Sequence, residues 1–288
     1  MSQSRRTALK RLIGGTALFG SMPLGAATWT GPDVGHEGRL RHSVTRWPYG
    51  DMSLGELCRE AKALGISSVE LIDPDEFDTV LQHDLTCAMV NAPGSIEEGL
   101  NQVENHEELV PAYRERIPKV AEAGFPNLIC FSGNRNGISR DEGIENCVAG
   151  IEQFLDVAEE HDVTICMELL NSKVDHPDYQ FDHMAFGAEV VERVGSDHFQ
   201  VLYDIYHAQI MEGDISRTIR DHADMIAHYH TGGVPGRNEI NETQELNYRA
   251  IMEAIAETDF DGWVGQEFIS TRDDPIESLR EAIEICDV

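Results

Sequence analysis

From Gly38 onward the chain alternates between strand-like and helix-like segments eight times. Such alternation builds βα units around a parallel sheet. Strands are expected over residues 42–47, 68–72, 86–91, 127–131, 163–169, 200–205, 225–230 and 263–268. They are short and rich in Val, Ile and Leu, as strands buried on both faces are. Helices are expected over 53–64, 75–83, 107–123, 141–161, 185–194, 215–222, 248–257 and 275–285. Ser53 and Glu56 read as a capping box. Pro118 predicts a kink or a split in its helix. One connection, residues 92–106, is longer than compact domains usually carry and is expected to act as a lid. The implied fold is α/β: a single (β/α)₈ barrel over residues 39–288, preceded by a segment, 1–38, that lies outside it.

That first segment has basic residues at Arg5, Arg6, Lys10 and Arg11 and an apolar stretch from Leu12 to Ala27, with no acidic residue before Asp33. A basic start, a modest apolar middle and small residues at the end are the layout of an export signal. Ser4 to Lys10 resembles the twin-arginine motif, with Ala8 where an aromatic residue is often found. The chain is therefore expected to be exported already folded, to the periplasm or beyond. Cleavage after Ala27 leaves 261 of the 288 residues, close to the roughly 250 of a (β/α)₈ barrel. No other run approaches a membrane span, so no stable span is expected after signal removal.

The net charge of −30 disfavours a nucleic-acid partner, because such a surface repels phosphate backbones. Lys occurs only at positions 10, 62, 119 and 173. Scarce Lys beside abundant Asp and Glu suggests adaptation to high salt, where screening relieves self-repulsion. The six Cys include no Cys-x-x-Cys pair and are expected to be reduced thiols. Self-association into a homo-oligomer stays open.

Four of the apolar runs end in residues that can bind a metal: VTICMELLN at Glu168, VLYDIYH at Asp204, IAHYHTGG at His230 and WVGQEF at Glu267. Each residue alone could be a solvated loop residue. Together they would lie on one rim of a barrel, the C-terminal rim where barrel chemistry sits. Three carboxylates facing each other need a cation between them. With one imidazole they make an oxygen-rich set suited to Mg²⁺ or Mn²⁺, with Co²⁺ or Zn²⁺ as alternatives. His207, three residues after Asp204, could face the same pocket. Arg237 offers a fork suited to a carboxylate or several hydroxyls. Asn171, Arg46 and Trp47 are weaker pocket candidates. His228 is expected to point out of the barrel and is set aside.

The segments ELLN, YDIYHAQIMEGD, HYHTGGVPGR, ELNY and GWVGQEF resemble the xylose-isomerase-like TIM-barrel superfamily. The nearest branch is the hydroxypyruvate-isomerase-type sugar isomerases and epimerases, and the resemblance runs from about Arg41 to the C-terminus. It implies that Glu168, Asp204, His230 and Glu267 hold one divalent cation and that Glu168 and Glu267 also shuttle a proton through an enediolate. It implies that His207 contacts a substrate oxygen. The substrate would be a small sugar or hydroxy-keto acid. One departure matters: the stretch after Glu168, LLNSKVDHPDYQ, is longer and more polar than in hydroxypyruvate isomerases, where a short loop carries an Arg. Lys173 is expected to replace that Arg, with His176 as a further contact. Competing readings are an enolate-forming dehydratase or lyase acting on a cyclic polyol, a non-catalytic exported sugar-binding barrel, and a DNA-repair nuclease. The last needs a basic groove.

Overall fold

The computed structural model describes residues 38–288; the expected export signal lies outside the described residues. Seven parallel strands form one sheet: β1 (Arg41–Thr45), β2 (Ser68–Glu70), β3 (Asn127–Cys130), β4 (Thr164–Glu168), β5 (Phe199–Asp204), β6 (Ile226–Thr231) and β7 (Trp263–Gln266). Their order is β2-β1-β7-β6-β5-β4-β3. The gap between β2 and β3 is bridged by residues 86–90. Val69 and Leu71 donate to the carbonyls of Thr86 and Met89 at 3.1 and 2.8 Å, and Val90 exchanges 3.0 Å bonds with Asn127 and Ile129. The fold is a TIM barrel with eight staves, the third of them irregular. Leu71, just past β2, takes a left-handed φ of +57°, outside strand geometry, yet it and Ile72 go on bonding to Met89 and Asn91.

The helices are α1 (Leu54–Ala63), α2 (Phe77–Gln82), α3 (His106–Glu122), α4 (Arg140–Ile151), α5 (Leu155–His161), α6 (Met184–Val194), α7 (Ile205–Met211), α8 (Ile215–Asp221), α9 (Tyr248–Ala256) and α10 (Pro275–Cys286). Ser53 caps α1 by accepting from the Glu56 amide at 3.3 Å. Three expectations are corrected. The long helix over 141–161 is two, α4 and α5, because Phe154 leaves helical geometry to enter the core, where it stacks on Tyr113 at 4.7 Å. Pro118 does not split α3. The carbonyl it strands belongs to exposed Arg114, where solvent can satisfy it. The 92–106 connection is pinned down rather than free. Leu100 and Asn101 are buried, and their amides donate to the carbonyls of Phe131 and Ser132 at 3.1 and 2.8 Å.

Side chains alternate along each stave. Val44, Ile165, Tyr203, Tyr229 and Val264 join the large apolar core. The opposite set splits by chemistry. Met89, Ile129, Cys166 and Leu202 form a small apolar cluster, while Glu70, Glu168, Asp204, His228 and His230 are buried polar residues. All six Cys are free and buried. No helix among the described residues is long and apolar enough to cross a membrane.

Candidate active site and metal centre

Glu168 and Asp204 are the last residues of β4 and β5, His230 is the penultimate residue of β6, and Glu267 follows β7 directly. Parallel strands of matched register bring these four to one level, with Asp204 directly opposite His230 in the β5–β6 ladder. One ligand atom from each lies within 4.8 Å of the others, and all four residues are buried. His230 Nδ1 is 3.1 Å from Glu168 Oε1 and 2.7 Å from Glu267 Oε2. On its other edge, Nε2 is 3.0 Å from Glu70 Oε1.

That second contact bears on whether a cation would fit. With the ring neutral, its proton belongs on Nε2, donated to Glu70. The Nδ1 lone pair then faces the carboxylates, as a metal-binding imidazole backed by a carboxylate should. The oxygen-rich set of three carboxylates and one imidazole fits a hard divalent ion.

Glu70 and His228 are the residues sequence reasoning missed. His228 Nε2 is also 3.0 Å from Glu70 Oε1, and both side chains are fully buried. The expectation that His228 points out of the barrel is wrong because residues two apart on a strand share a face, so His228 and His230 point the same way. A glycine makes room for this arrangement. A Cβ on Gly265 would lie 2.1 Å from Glu70 Oε1 and 2.8 Å from the His230 ring. The signal available in the sequence was Glu70 itself, a lone charge ending the strand-like run SSVE.

Arg237 reaches the same cluster. Its Nη2 donates to Asp204 Oδ2 at 3.0 Å and to Glu267 Oε2 at 2.7 Å. Its guanidinium lies 5.3 Å from the centroids of both Trp47 and Tyr206. The backbone there is unusual for a non-glycine, with φ of +58°. Two bonds hold it: the Arg237 amide donates to Gly233 O at 2.8 Å, and Ile269 N donates to Arg237 O at 2.7 Å. Trp47, placed after β1 on a short 3₁₀ turn, donates from Nε1 to Glu267 Oε1 at 2.6 Å. Arg46 turns aside, donating to the carbonyls of Tyr49 and Met52.

His207 sits in the first turn of α7, which Asp204 caps by accepting from the His207 amide at 3.1 Å. Its Nδ1 accepts from the Asn171 amide at 3.1 Å, so the ring proton lies on Nε2. Nε2 is buried, makes no hydrogen bond and lies 3.6 Å from Asp204 Oδ2. It is therefore a spare donor beside Asp204. The Asn171 side chain braces both His207, with Nδ2 2.6 Å from the ring Nδ1, and its own turn. Its Oδ1 accepts from the amides of Val174 and Asp175, and its Nδ2 donates to Asp175 Oδ2 at 2.6 Å. His176 packs its ring 5.4 Å from that of His207. Lys173 points elsewhere, donating to the carbonyls of Ile210 and Met211 at the end of α7.

The electrostatics separate the two glutamates. Burial alone would raise Glu267, but Arg237 and His230 hold it well below the usual carboxylate range. Burial, helped by the Glu267 charge, raises Glu168. Burial pushes Asp204 up to about 7 against the pull of Arg237. Burial would lower His230, yet the charge of Glu267 and the bonds to Glu168, Glu267 and Glu70 carry it well above the usual imidazole range. Burial and the nearby Arg237 charge push His207 well below that range, so it stays neutral.

Comparison with known proteins places this arrangement in a lineage. Residues 58–287 match the family of xylose isomerase-like TIM barrels. A putative hydroxypyruvate isomerase from Homo sapiens is 30% identical over 123 residues, 43% of this chain, and the match spans 44% of that relative. The hydroxypyruvate isomerase of Escherichia coli K12 is 25% identical over 235 residues, covering 76% of this chain and 89% of its own. Among solved structures, an AP endonuclease of family 2 from Brucella melitensis superposes with a TM-score of 0.76 at 24% identity, covering 83% of this chain and 97% of its own. That likeness is one of fold.

Proposed function

The chain belongs to the xylose isomerase-like TIM barrel family, and on that footing we propose that it is an isomerase or epimerase of a small hydroxy-carbonyl compound or sugar, working with one divalent cation. The observation that carries the reading is the convergence of Glu168, Asp204, His230 and Glu267 within 4.8 Å at one rim. Those four would hold the cation. When bound, it polarises the substrate carbonyl and stabilises negative charge developing on that oxygen.

The rest of the chemistry belongs to the side chains. Glu267, kept ionised by Arg237 and bonded by Trp47, is suited to take a proton from the carbon beside the carbonyl, leaving an enediolate. Glu168, whose proton affinity is raised, is suited to return one. Two carboxyls pushed in opposite directions are the arrangement an acid–base pair requires. His207 offers its Nε2–H to a substrate oxygen. The net charge of −30 weighs against a nuclease acting on a phosphate backbone. The basic residues from Arg5 to Arg11 and the apolar stretch after them support a second part of the proposal, export of the folded, loaded enzyme by the twin-arginine route.

The test is proton exchange. Protein loaded with Mn²⁺ should incorporate solvent deuterium at the carbon next to the carbonyl of its substrate, followed by NMR in D₂O. Chelation should abolish the exchange and added metal should restore it. Saturable sugar binding without exchange on any hydroxy-carbonyl compound would replace the enzyme with a binding barrel.

A further inference from the structure

Resting on the isomerase reading, in which Glu267 takes the proton, we infer that Glu239 is a positioning residue: it fixes the loop that aims Arg237 at Glu267. Glu239 and Arg237 are two positions apart on the loop after β6 and carry opposite charges, yet they turn to different partners. Arg237 Nη2 donates to Glu267 Oε2 at 2.7 Å. Glu239 is only 5% exposed and turns instead to the loop after β7 and to α10. Its Oε1 accepts from the Thr271 amide at 2.7 Å and from Ser278 Oγ at 2.8 Å, and its Oε2 accepts from Thr271 Oγ1 at 3.0 Å. Ser270 Oγ lies 3.2 Å from the same Oε1. All of these partners are neutral.

Burying a carboxylate is costly, and hydrogen bonds must offset that cost. Burial would raise the Glu239 carboxyl, but the bonds from Thr271, its own amide and Ser278 hold it at about 2. The side chain is therefore charged and accepts only, which matches it to a set of donors. Those donors tie one loop to the other, and the tie continues toward the site. Ile269 N donates to Arg237 O at 2.7 Å, and Asn238 Nδ2 donates to Ile269 O at 2.9 Å. Gly233 N donates to Asn238 O at 2.8 Å. A Cβ on Gly233 would lie 2.2 Å from Glu239 O, so the loop closes on itself without spare room. Arg237 Nε ends the seam by donating to Glu267 O at 3.3 Å. One seam thus runs from Glu239 and Thr271 to Arg237 and Glu267.

Arg237 needs such a seam. At its φ of +58° the Cβ crowds the backbone, and a conformation of that kind persists only where its surroundings over-determine it. Without Glu239, buried Ser278 and the Thr271 amide lose their acceptor, and the loop after β6 loses its tie to the loop after β7. Arg237 is then free to leave its strained geometry. Glu267 loses with it the guanidinium that both aims it and keeps it ionised. Trp47 reports on the same place, because its Nε1 donates to Glu267 Oε1 at 2.6 Å and its ring centroid lies 5.3 Å from the guanidinium.

The experiment is a double-mutant cycle on full-length protein: Glu239→Ala, Arg237→Gln and the two together, each with its melting temperature. Turnover and deuterium exchange are followed with Mn²⁺ bound, on hydroxypyruvate or free ketoses, whichever the wild type exchanges. Glu239→Ala should lower kcat by about 10–100-fold, the scale for a residue that orients a working group, with KM little changed. Added to Arg237→Gln it should cost less than about twofold more, because residues that act through one another do not add. Glu239→Gln keeps one acceptor oxygen and should recover part of the loss; where the alanine variant does not fold, the same cycle is run with glutamine. Equal losses in both backgrounds, or a lower melting temperature with kcat unchanged, overturn the proposal and leave Glu239 a residue of stability alone. Exchange on no compound instead removes the isomerase reading. The Trp47 indole N–H resonance of the Mg²⁺-loaded protein, assigned with Trp47→Phe, then decides for Glu239. A shift on Glu239→Ala that vanishes in the Arg237→Gln background supports the positioning role, and an unmoved resonance overturns it.

Discussion

At the C-terminal rim, Glu168, Asp204 and Glu267 are buried around His230, and Arg237, partly buried, pairs with two of them. At the N-terminal rim, a cavity of about 810 Å³ opens among Arg41, Arg220, Asp224, Glu257, Asp259 and Asp261. Those six charged residues are all exposed. Arg41 rests on the Trp263 ring at 3.9 Å, and Arg220 pairs with Glu257. That hollow is therefore lined by groups that water already satisfies, whereas the C-terminal rim gathers groups that water cannot reach. Burying a charge is costly unless something repays it. The rim that bears that cost marks the working end of the barrel more reliably than the volume of a hollow does.

The largest effect should come from the carboxylate assigned as base. Glu267→Gln keeps an oxygen for the cation and can still meet Trp47 and Arg237, but it cannot take a proton. Its kcat should fall by at least about 10²–10⁴-fold, with metal binding largely retained and deuterium exchange falling in parallel. Near-normal turnover with metal bound would mean that the buried charge at this rim serves only to hold the ion. The contrast between the rims would then be one of binding, with no catalysis in it.

A smaller effect is expected one layer deeper. Glu70 Oε1 is 3.0 Å from both His228 Nε2 and His230 Nε2, and so fixes which nitrogen of His230 faces the cluster. Glu70→Gln should weaken Mn²⁺ affinity by about 10–100-fold, the usual scale for a group that orients a ligand. This is readable by titration calorimetry without any turnover. An unchanged affinity would show that Glu70 and His228 are merely a buried ion pair.

That deeper layer also shows where the sequence stopped being legible. Glu168, Asp204, His230 and Glu267 could be found because each stands at the end of an apolar run, a position that a repeating βα pattern makes equivalent across the chain. The barrel itself was legible for the same reason, since the alternation repeats. Glu70 meets His228 and His230 through the closure of the sheet by β1 between β2 and β7, a long-range event with no local mark. The bond from Trp47 to Glu267 spans 220 positions and leaves no trace in spacing. Lys173 was expected to replace the Arg of a relative's shorter loop, yet the loop turns it to the end of α7, while Asn171, read from ELLN, braces both its own turn and the His207 ring. The split between α4 and α5 depends on what Phe154 packs against, and helical periodicity does not report that.

The smallest effect should be at the opposite rim. Arg220 and Glu257 lie 3.0 Å apart, with side chains 49% and 58% exposed. An exposed pair of this kind contributes about 0–1 kcal/mol, less as salt rises. Arg220→Gln should therefore lower the melting temperature slightly at low salt and not at all at high salt. Because both residues line the 810 Å³ cavity, the variant also asks whether that hollow has any part in the reaction. Metal affinity and kcat/KM should match the wild type. A loss of either, with stability unchanged, would give the N-terminal rim a role that its exposed charges do not suggest, and the contrast drawn between the two rims would fail at its weaker side.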